Sequence, residues 1–441
     1  MRAEAAAALL GLALLAPAAA QAQGAIGAGA ERLEERVDAV GRALDRRVAE
    51  TPVLGELAER VRISGSWLGA WFDARPGSQV QQDDFSTWDA RLFADVELGR
   101  DLALGTRPLL QALGVRFEWE FARLGQRVDD YGEFYLDLQG VGGSSWLNAQ
   151  VGRFQIPVGE SYLRFSMGYR DNPFLSNTVG GAWWADEGVR IHGSDPTGRF
   201  AYVASVSSGE TALDSSADGD GQATLKLIAR PTPWLQLSAS GLWSAPSGSD
   251  EYPADGALWL GETWARAFGA GAPGPNVHEG AVAPDAPGRL DGTWYLGADA
   301  VLTHPRGARL WLSYGLYRID SSGPSLYDRT LHTWIAELVL EGRLASPVLR
   351  PFYLALRANG LGTYDGGRGY LLDVRYTGRF GYNMQSLEAY SLGVGWRLCR
   401  WATLKLEYTY QDADLVGGAG GVLGARAADA SYWGAGLGLA F

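Results

Sequence analysis

The stretch from Tyr432 to Phe441 reads YWGAGLGLAF, and every second residue from Trp433 to Phe441 is apolar or aromatic. Most of the residues between them are glycines. A repeat of two is the period of a β-strand, whose successive side chains point to opposite faces of a sheet. The stretch therefore predicts a strand with one apolar face and one face of mostly small residues.

The same period of two recurs along the chain from Val61 onward. In the stretch 88–98, one face would carry Trp88, Ala90, Leu92, Ala94, Val96 and Leu98, and the other Asp89, Arg91, Asp95 and Glu97. Alternation of this kind also fits a soluble β-sandwich with its apolar face inward. Two features favour lipid instead, because the polar faces are rich in charge and aromatic residues recur near strand ends. In lipid every backbone polar group must be paired, so the strands must close into a barrel.

The connections between the predicted strands fall into two length classes. Short ones are rich in turn residues, such as 193–198, 231–233, 304–307 and 399–401, whereas long ones include 74–86, 156–186, 209–221, 245–292, 319–330 and 412–428. A first count gives about seventeen strands, but single-chain bacterial barrels have even numbers. The weakest candidate is 369–377, and assigning 361–386 to one external loop restores the parity. The prediction is an all-β, closed antiparallel transmembrane β-barrel of about sixteen strands over 61–441.

Residues 1–60 are expected to lie outside the barrel. Arg2, the apolar run 5–16 and Ala20-Gln21-Ala22 predict a secretory signal peptide over 1–22. Segment 23–60 then contains a helical pattern at 30–50, whose apolar positions are Leu33, Val37, Val40, Leu44 and Val48. This pattern is typical of a short periplasmic coiled-coil-like helix. Both a solvated linker helix and a self-association helix fit it.

Composition excludes several classes of protein and site. The net charge of −12 argues against a nucleic-acid partner, whose binding surface would be basic. One cysteine, Cys399, can form neither an intramolecular disulfide nor a cysteine-rich zinc site. No metal or cofactor site is predicted. The expected partners are outer-membrane lipid and small hydrophilic solutes or ions.

The terminal Phe441 closes the last alternating strand. A terminal aromatic in this position resembles the signal read by the outer-membrane barrel assembly machinery, which is therefore an expected partner. The expected location is the bacterial cell outer membrane, with the N-terminal helix in the periplasm.

A second resemblance begins at Gly152-Arg153-Phe154-Gln155-Ile156-Pro157-Val158-Gly159-Glu160 and continues in 186–193. This segment resembles the phosphate-selective porin O and P family, in which a Gly-basic-Phe-x-x-Pro-x-Gly segment follows an early strand. The resemblance implies a sixteen-stranded homotrimeric porin whose third loop, here 156–186, folds inward and narrows the pore. The alternative is an ordinary surface loop with an incidental Pro-x-Gly turn.

The candidate site residues follow from this reading. The predicted constriction residues are Arg153, Glu160, Arg164 and Arg170, and the predicted lumen-facing charges are Arg91, Arg116, Glu118, Glu120, Arg190, Lys226, Arg357 and Lys405. The chain has only two lysines, so the lysine-rich clusters of phosphate-selective members do not carry over. The favoured interpretation is that most of these charges solvate the lumen and pair across strands.

Three functional classes remain open at this point. The first is a passive porin for small hydrophilic solutes or ions, with anion or phosphate transport left open. The second is a tethering barrel that acts through the 30–50 helix, and the third is an outer-membrane enzyme. His192-Gly193-Ser194-Asp195 offers residue types of a hydrolytic triad, but a triad is defined by spatial geometry. We expect this run to end a strand and enter a turn. The prediction is therefore a protein without catalytic residues.

Overall fold

The computed structural model describes residues 35, 39, 60–74, 85–123, 126–160, 172–176, 178, 185–208, 221–245, 289–322, 329–363, 370–371, 383–415 and 429–440. The predicted signal peptide and Phe441 lie outside these residues. Of the predicted 30–50 helix, only Glu35 and Ala39 are described, and both are helical. No helix among the described residues has the length and hydrophobicity to cross a membrane.

Sixteen long strands make up the described fold. They are Val61–Ala74 (β1), Ser86–Leu104 (β2), Arg107–Arg123 (β3), Gln126–Gln139 (β4), Asn148–Gln155 (β5), Ala185–Ser194 (β6), Phe200–Ser207 (β7), Gly221–Thr232 (β8), Leu235–Ala245 (β9), Arg289–His304 (β10), Ala308–Ser322 (β11), Arg329–Glu341 (β12), Phe352–Thr363 (β13), Asn383–Cys399 (β14), Ala402–Leu415 (β15) and Asp429–Ala440 (β16). Short 3-10 helices span Val141–Gly143, Gly342–Leu344 and Pro347–Leu349.

The strands form a closed ring. Each pairs antiparallel with its neighbours in sequence, and β1 also pairs with β16, where Ser66 lies opposite Ala440. A two-residue piece, Tyr370–Leu371, pairs with the start of β14. The predicted closed sixteen-stranded antiparallel barrel is confirmed.

Most connections are shorter at one end of the barrel than at the other. The end that holds Val61 and Ala440 has turns as short as 400–401 and 305–307, whereas the opposite end has connections such as 156–184 and 246–288. Segment 361–386 was predicted to be one loop, but the flanking strands extend to Thr363 and from Asn383. The predicted count of sixteen strands is therefore right. The loop is shorter than predicted, because the backbone pairing of the two flanking strands continues into residues 361–363 and 383–386.

The turn at Asp195 shows why the short connections are well defined. Asp195 Oδ1 accepts a hydrogen bond from Phe200 N at 2.7 Å, and Oδ2 accepts from the backbone and hydroxyl of Thr197. The bond from Phe200, followed by that from the Thr197 side chain, lowers the pKa of Asp195. Its carboxylate thus closes the turn that follows β6, as the sequence predicted.

The two faces of the barrel have the reverse of a soluble protein's polarity. On β15, Lys405 and Glu407 are 4% and 1% exposed, whereas Leu406 between them is 55% exposed. Large apolar side chains are also exposed on other strands, Leu296 and Val206 among them. Large exposed apolar surfaces mark places where a protein contacts a membrane or another protein. A soluble sandwich with an apolar interior is thereby excluded.

The face assignment of Trp88 in the sequence pattern was wrong. Trp88 was expected on the outward apolar face with Leu92, yet it is 2% exposed and packs inside with Phe72. The β1–β2 register shifts between Leu68 and Gly69. A register irregularity turns the next side chain to the other face, because a strand's period is two.

Candidate functional site in the barrel lumen

The inner wall of the barrel carries networks of paired charges. Arg91 contacts three carboxylates, those of Asp89 at 3.0 Å, Glu118 at 2.9 Å and Glu120 at 3.0 Å. All four side chains are almost completely buried. Multiple ion pairs and hydrogen bonds offset the cost of removing these charges from water. The cluster fixes β2 against β3 on the lumen side.

Two further arginines repeat this arrangement elsewhere on the wall. Arg116 contacts Asp95 at 3.2 Å and Glu133 at 3.1 Å. Arg357 donates to Glu337 Oε2 from both Nε and Nη2, at 3.0 and 2.9 Å. Such pairs across neighbouring strands agree with the interpretation favoured from the sequence.

Arg190 differs from these because its hydrogen-bond partners are uncharged. Its Nε donates to Gln150 Oε1 at 2.5 Å and its Nη1 to the Gln155 carbonyl at 2.8 Å. The guanidinium also lies over the rings of Tyr135 and Phe154, at 5.6 and 4.8 Å from their centroids. Arg190 therefore adds positive charge to the lumen wall, and its hydrogen bonds within the described part of the chain go to no carboxylate.

The first part of connection 156–184 binds the wall formed by β8 and β9. Lys226 Nζ donates to the Gly159 carbonyl at 2.5 Å and to Glu160 Oε1 at 2.8 Å. Ser238 Oγ and Gln236 Nε2 donate to the same carboxylate oxygen, at 3.1 and 3.0 Å. These bonds hold the Gly159–Glu160 corner inside the barrel, where Glu160 is buried.

A second part of the connection, 172–176, binds charged residues of β13 and β15. Glu407 accepts hydrogen bonds from the backbone of Leu175 at 2.6 Å and of Ser176 at 3.0 Å, and from Ser176 Oγ at 2.5 Å. Arg357 Nη2 donates to Asn172 Oδ1 at 2.6 Å, and Lys405 Nζ donates to the Asn172 carbonyl at 2.6 Å. The lumen wall thus satisfies the polar backbone of the loop, which a buried loop requires.

Two apolar side chains of this segment also dock on the inner wall. Leu175 packs with Leu68, Ala70, Phe72, Trp88 and Tyr432, and Phe174 packs with Val339, Tyr353 and Ala355. Both loop side chains are fully buried. The Arg357 guanidinium covers Phe174 at 4.1 Å from the ring centroid.

Glycines on the inner face of β14 and β16 make room for these side chains. A Cβ at Gly393 would lie 2.9 Å from the Phe174 ring, and one at Gly436 would lie 2.6 Å from a Leu175 methyl carbon. Glycine within a strand often marks such a close approach. We define Gly393, Gly434 and Gly436 as the glycine slot.

The two parts of the connection therefore bind different sides of the ring. Glu160 is held by β8 and β9, whereas residues 172–176 are held by strands from β12 round to β2. In a ring of sixteen strands, β8–β9 and β15–β16 lie nearly half a turn apart. One connection thus contacts opposing walls of the lumen.

The predicted site residues are placed as follows. Arg91, Arg116, Glu118, Glu120, Arg190, Lys226, Arg357 and Lys405 lie on the lumen side with the networks and loop contacts described above. Glu160 lies in the loop itself. Arg164 and Arg170 lie outside the described residues.

Arg153 lies on the opposite face from the one predicted for a constriction residue. It pairs across the sheet with Phe134 and Glu187, which are exposed on the outward face. Its guanidinium lies 5.0 Å from the Tyr131 ring centroid. Residues directly opposite each other in a sheet share a face, so Arg153 points away from the lumen. Its side chain is only 8% exposed, so it is more buried than its neighbours Phe134 and Glu187 on the same face.

Sequence reasoning missed the residues that hold the loop. Glu407, Phe174 and Leu175 were not among the candidate site residues. A signal was present in Gly434 and Gly436, since glycines at successive inward positions of a strand indicate a close approach by other atoms.

Lys226 provides a test of the loop attachment. Replacing Lys226 with Met leaves the buried Glu160 carboxylate without its cation, so we expect a loss of about 3 kcal/mol in unfolding free energy. The double variant K226M/E160Q should recover most of this loss, because residue 160 then carries no buried charge that needs a cation. Guanidine unfolding in detergent, followed by tryptophan fluorescence, measures both variants. Equal destabilisation of the single and double variants would contradict the pairing.

Comparisons with known proteins relate the barrel to solved structures. No known protein family's profile matches the chain, and no curated protein matches its sequence. The outer membrane channel DcaP of Acinetobacter baumannii matches with 12% identity over 86% of this chain and 97% of its own, at a TM-score of 0.54. The trimer form of OmpT, an outer membrane protein of Vibrio cholerae, matches with 12% identity over 86% and 99%, at 0.53. Pseudomonas putida OprB matches with 13% identity over 88% and 96%, at 0.52.

The likeness is one of fold. At identities of 12–13%, the chain shares the fold of these proteins and is assigned to no family. The resemblance to the phosphate-selective porin O and P family therefore still depends on the Gly152–Glu160 segment, which no family profile supports.

Proposed function

We propose that this protein is a bacterial outer-membrane porin through which small hydrophilic solutes and ions diffuse passively. The observation that carries this proposal is the reversed polarity of the barrel, with charged side chains inside and apolar side chains outside. An apolar exterior suits hydrocarbon, and a polar interior suits water and dissolved solutes. Fold likeness to the channel DcaP supports the same function.

The finer proposal is that connection 156–184 constricts the pore. It is supported by the contacts of Glu160 and of 172–176 with walls nearly half a turn apart. A segment held in this way reduces the open cross-section, so it would select solutes by size and charge. The constriction residues in this proposal are Glu160 and 172–176, together with the predicted Arg164 and Arg170.

Outer-membrane location, insertion by the barrel assembly machinery and a homotrimeric state belong to the same proposal. The trimer form of the structurally similar OmpT supports the oligomeric state. The predicted signal peptide over 1–22 and Phe441 support export and assembly. The periplasmic role of the 30–50 helix stays a prediction from sequence.

Ion selectivity tests the function directly. We propose a preference for anions, supported by Arg190, whose hydrogen-bond partners are neutral, and by Lys405 beside the docked loop. In a planar bilayer with a tenfold KCl gradient, the purified chain should show discrete conductance steps. The sign of its reversal potential should show that chloride permeates better than potassium.

Replacing Arg190 with Gln should move that reversal potential towards zero. The matched control is Arg107→Gln, at an exposed position beside the 105–106 turn. A reversal potential of the cation sign would remove the anion proposal, and an absence of conductance steps would remove the porin proposal.

A further inference from the structure

A cavity of about 470 Å³ opens at the end of the lumen that holds the short turns and both termini of the barrel. It lies against loop residues Asn172 and Pro173, and its wall includes the turn residues His304 and Arg400. We call it the turn-side vestibule. Its volume falls within the range of about 300–1,000 Å³ typical of small-molecule pockets.

The wall of the vestibule carries an excess of positive charge. Among the described residues of the wall, the cations are Arg309, Arg343, Arg397, Arg400 and Lys405, and the carboxylates are Asp89 and Glu341. Both carboxylates already have arginine partners, Asp89 with Arg91 at 3.0 Å and Glu341 with Arg397 at 2.6 and 2.9 Å. A dissolved carboxylate entering this space would therefore meet more positive than negative charge.

Two arginines of the vestibule lie against aromatic rings. The Arg400 guanidinium is 4.3 Å from the Trp401 ring centroid, and that of Arg397 is 5.3 Å from the Tyr353 centroid. Leu68 and Val339 add apolar surface to the same wall. Guanidinium groups recognise carboxylates, while aromatic and aliphatic side chains recognise a flat apolar body.

We propose that the turn-side vestibule binds small organic carboxylates that carry a flat apolar body, such as an aromatic acid. The physiological role of this site rests on the proposed porin function. Within that function, the site specifies a class of solute and the place in the lumen where the solute binds. An inorganic anion or acetate would engage the cations but leave the apolar wall against water. Such ions therefore bind more weakly.

Cys399 offers a direct probe, because the one cysteine of the chain lies in the wall of this vestibule. In the purified, folded chain, its thiol is labelled with an anionic methanethiosulfonate reagent in the presence of benzoate, acetate or phosphate. Benzoate should halve the labelling rate at a concentration at least about tenfold lower than acetate or phosphate requires.

Variants separate the two parts of the site. The double variant R343Q/R400Q should raise the half-protecting benzoate concentration about tenfold, whereas the control R107Q, which removes an exposed cation outside the vestibule, should leave it within about twofold. Trp401→Leu should abolish the advantage of benzoate over acetate. Barrel integrity of each variant is checked by its unheated mobility on a denaturing gel.

Equal protection by benzoate and acetate in the unaltered chain would overturn the proposal, as would no protection by either. Identical benzoate protection in R343Q/R400Q and R107Q would also overturn it. Labelling requires no ionic current, so failure of this site and failure of the porin function are distinguishable. If the double variant does not fold, the acetate comparison and Trp401→Leu decide.

Discussion

Replacing Gly393 with Val should open the pore, with single-channel conductance rising about twofold, because conductance follows the free cross-section. A Cβ at this position would lie 2.9 Å from the Phe174 ring, closer than atoms normally approach. Phe174 cannot move aside within its pocket, since it is fully buried against Val339, Tyr353 and Ala355. The loop must therefore leave the wall of β14.

A glycine outside the glycine slot provides a specific control. At Gly241 an added Cβ would make only ordinary contacts, at 3.7 Å from Leu296 and 3.8 Å from the Tyr295 carbonyl. Gly241→Val is thus the same substitution within a strand, and it should leave conductance unchanged. Uptake of solutes that the unaltered pore excludes provides a second measurement for Gly393→Val. Equal conductance of the two variants would show that the loop does not limit the pore.

Replacing Glu407 with Leu should release the same loop by a different cause. The change removes the acceptor for the backbone N–H groups of Leu175 and Ser176, which are buried. If each unsatisfied buried donor costs about 1 kcal/mol, the two together cost about 2 kcal/mol, so the population with the loop detached should rise roughly thirtyfold. Trypsin can report the change, because Arg164 and Arg170 lie between the two attached parts of the loop.

Cleavage after these arginines should accelerate in Glu407→Leu, while the barrel itself stays folded. Glu407→Gln keeps one oxygen acceptor and should give an intermediate rate. Glu97→Leu is the matched control, because Glu97 is bonded to Arg100 of its own strand and takes no part in the loop contacts described above. If Glu97→Leu and Glu407→Leu are cleaved equally fast, Glu407 does not hold the loop.

The two substitutions test independent parts of the attachment. Gly393→Val acts through shape at the Phe174 pocket, whereas Glu407→Leu acts through hydrogen bonding near Leu175. If Gly393→Val raises the conductance and Glu407→Leu speeds trypsin cleavage, the two results together identify the loop, rather than either residue, as the part that narrows the pore.

Sequence by itself determined the barrel and the polarity of its faces. The period of two is a local property, so Lys405 and Glu407 could be assigned inward and Leu406 outward without any knowledge of their neighbours. The strand count followed from turn residues and from the even parity of closed barrels. Neither inference required long-range contacts.

Tertiary structure alone decided which residues hold the loop inside the barrel and which faces some side chains take. The shift between Leu68 and Gly69 turned Trp88 inward, and cross-strand register placed Arg153 outward with Phe134. Glu407 and Leu175 are more than two hundred residues apart in the chain, yet they share a hydrogen bond. Closure of the ring brings such residues together, and the pattern within a single strand carries no information about partners contributed by another part of the chain.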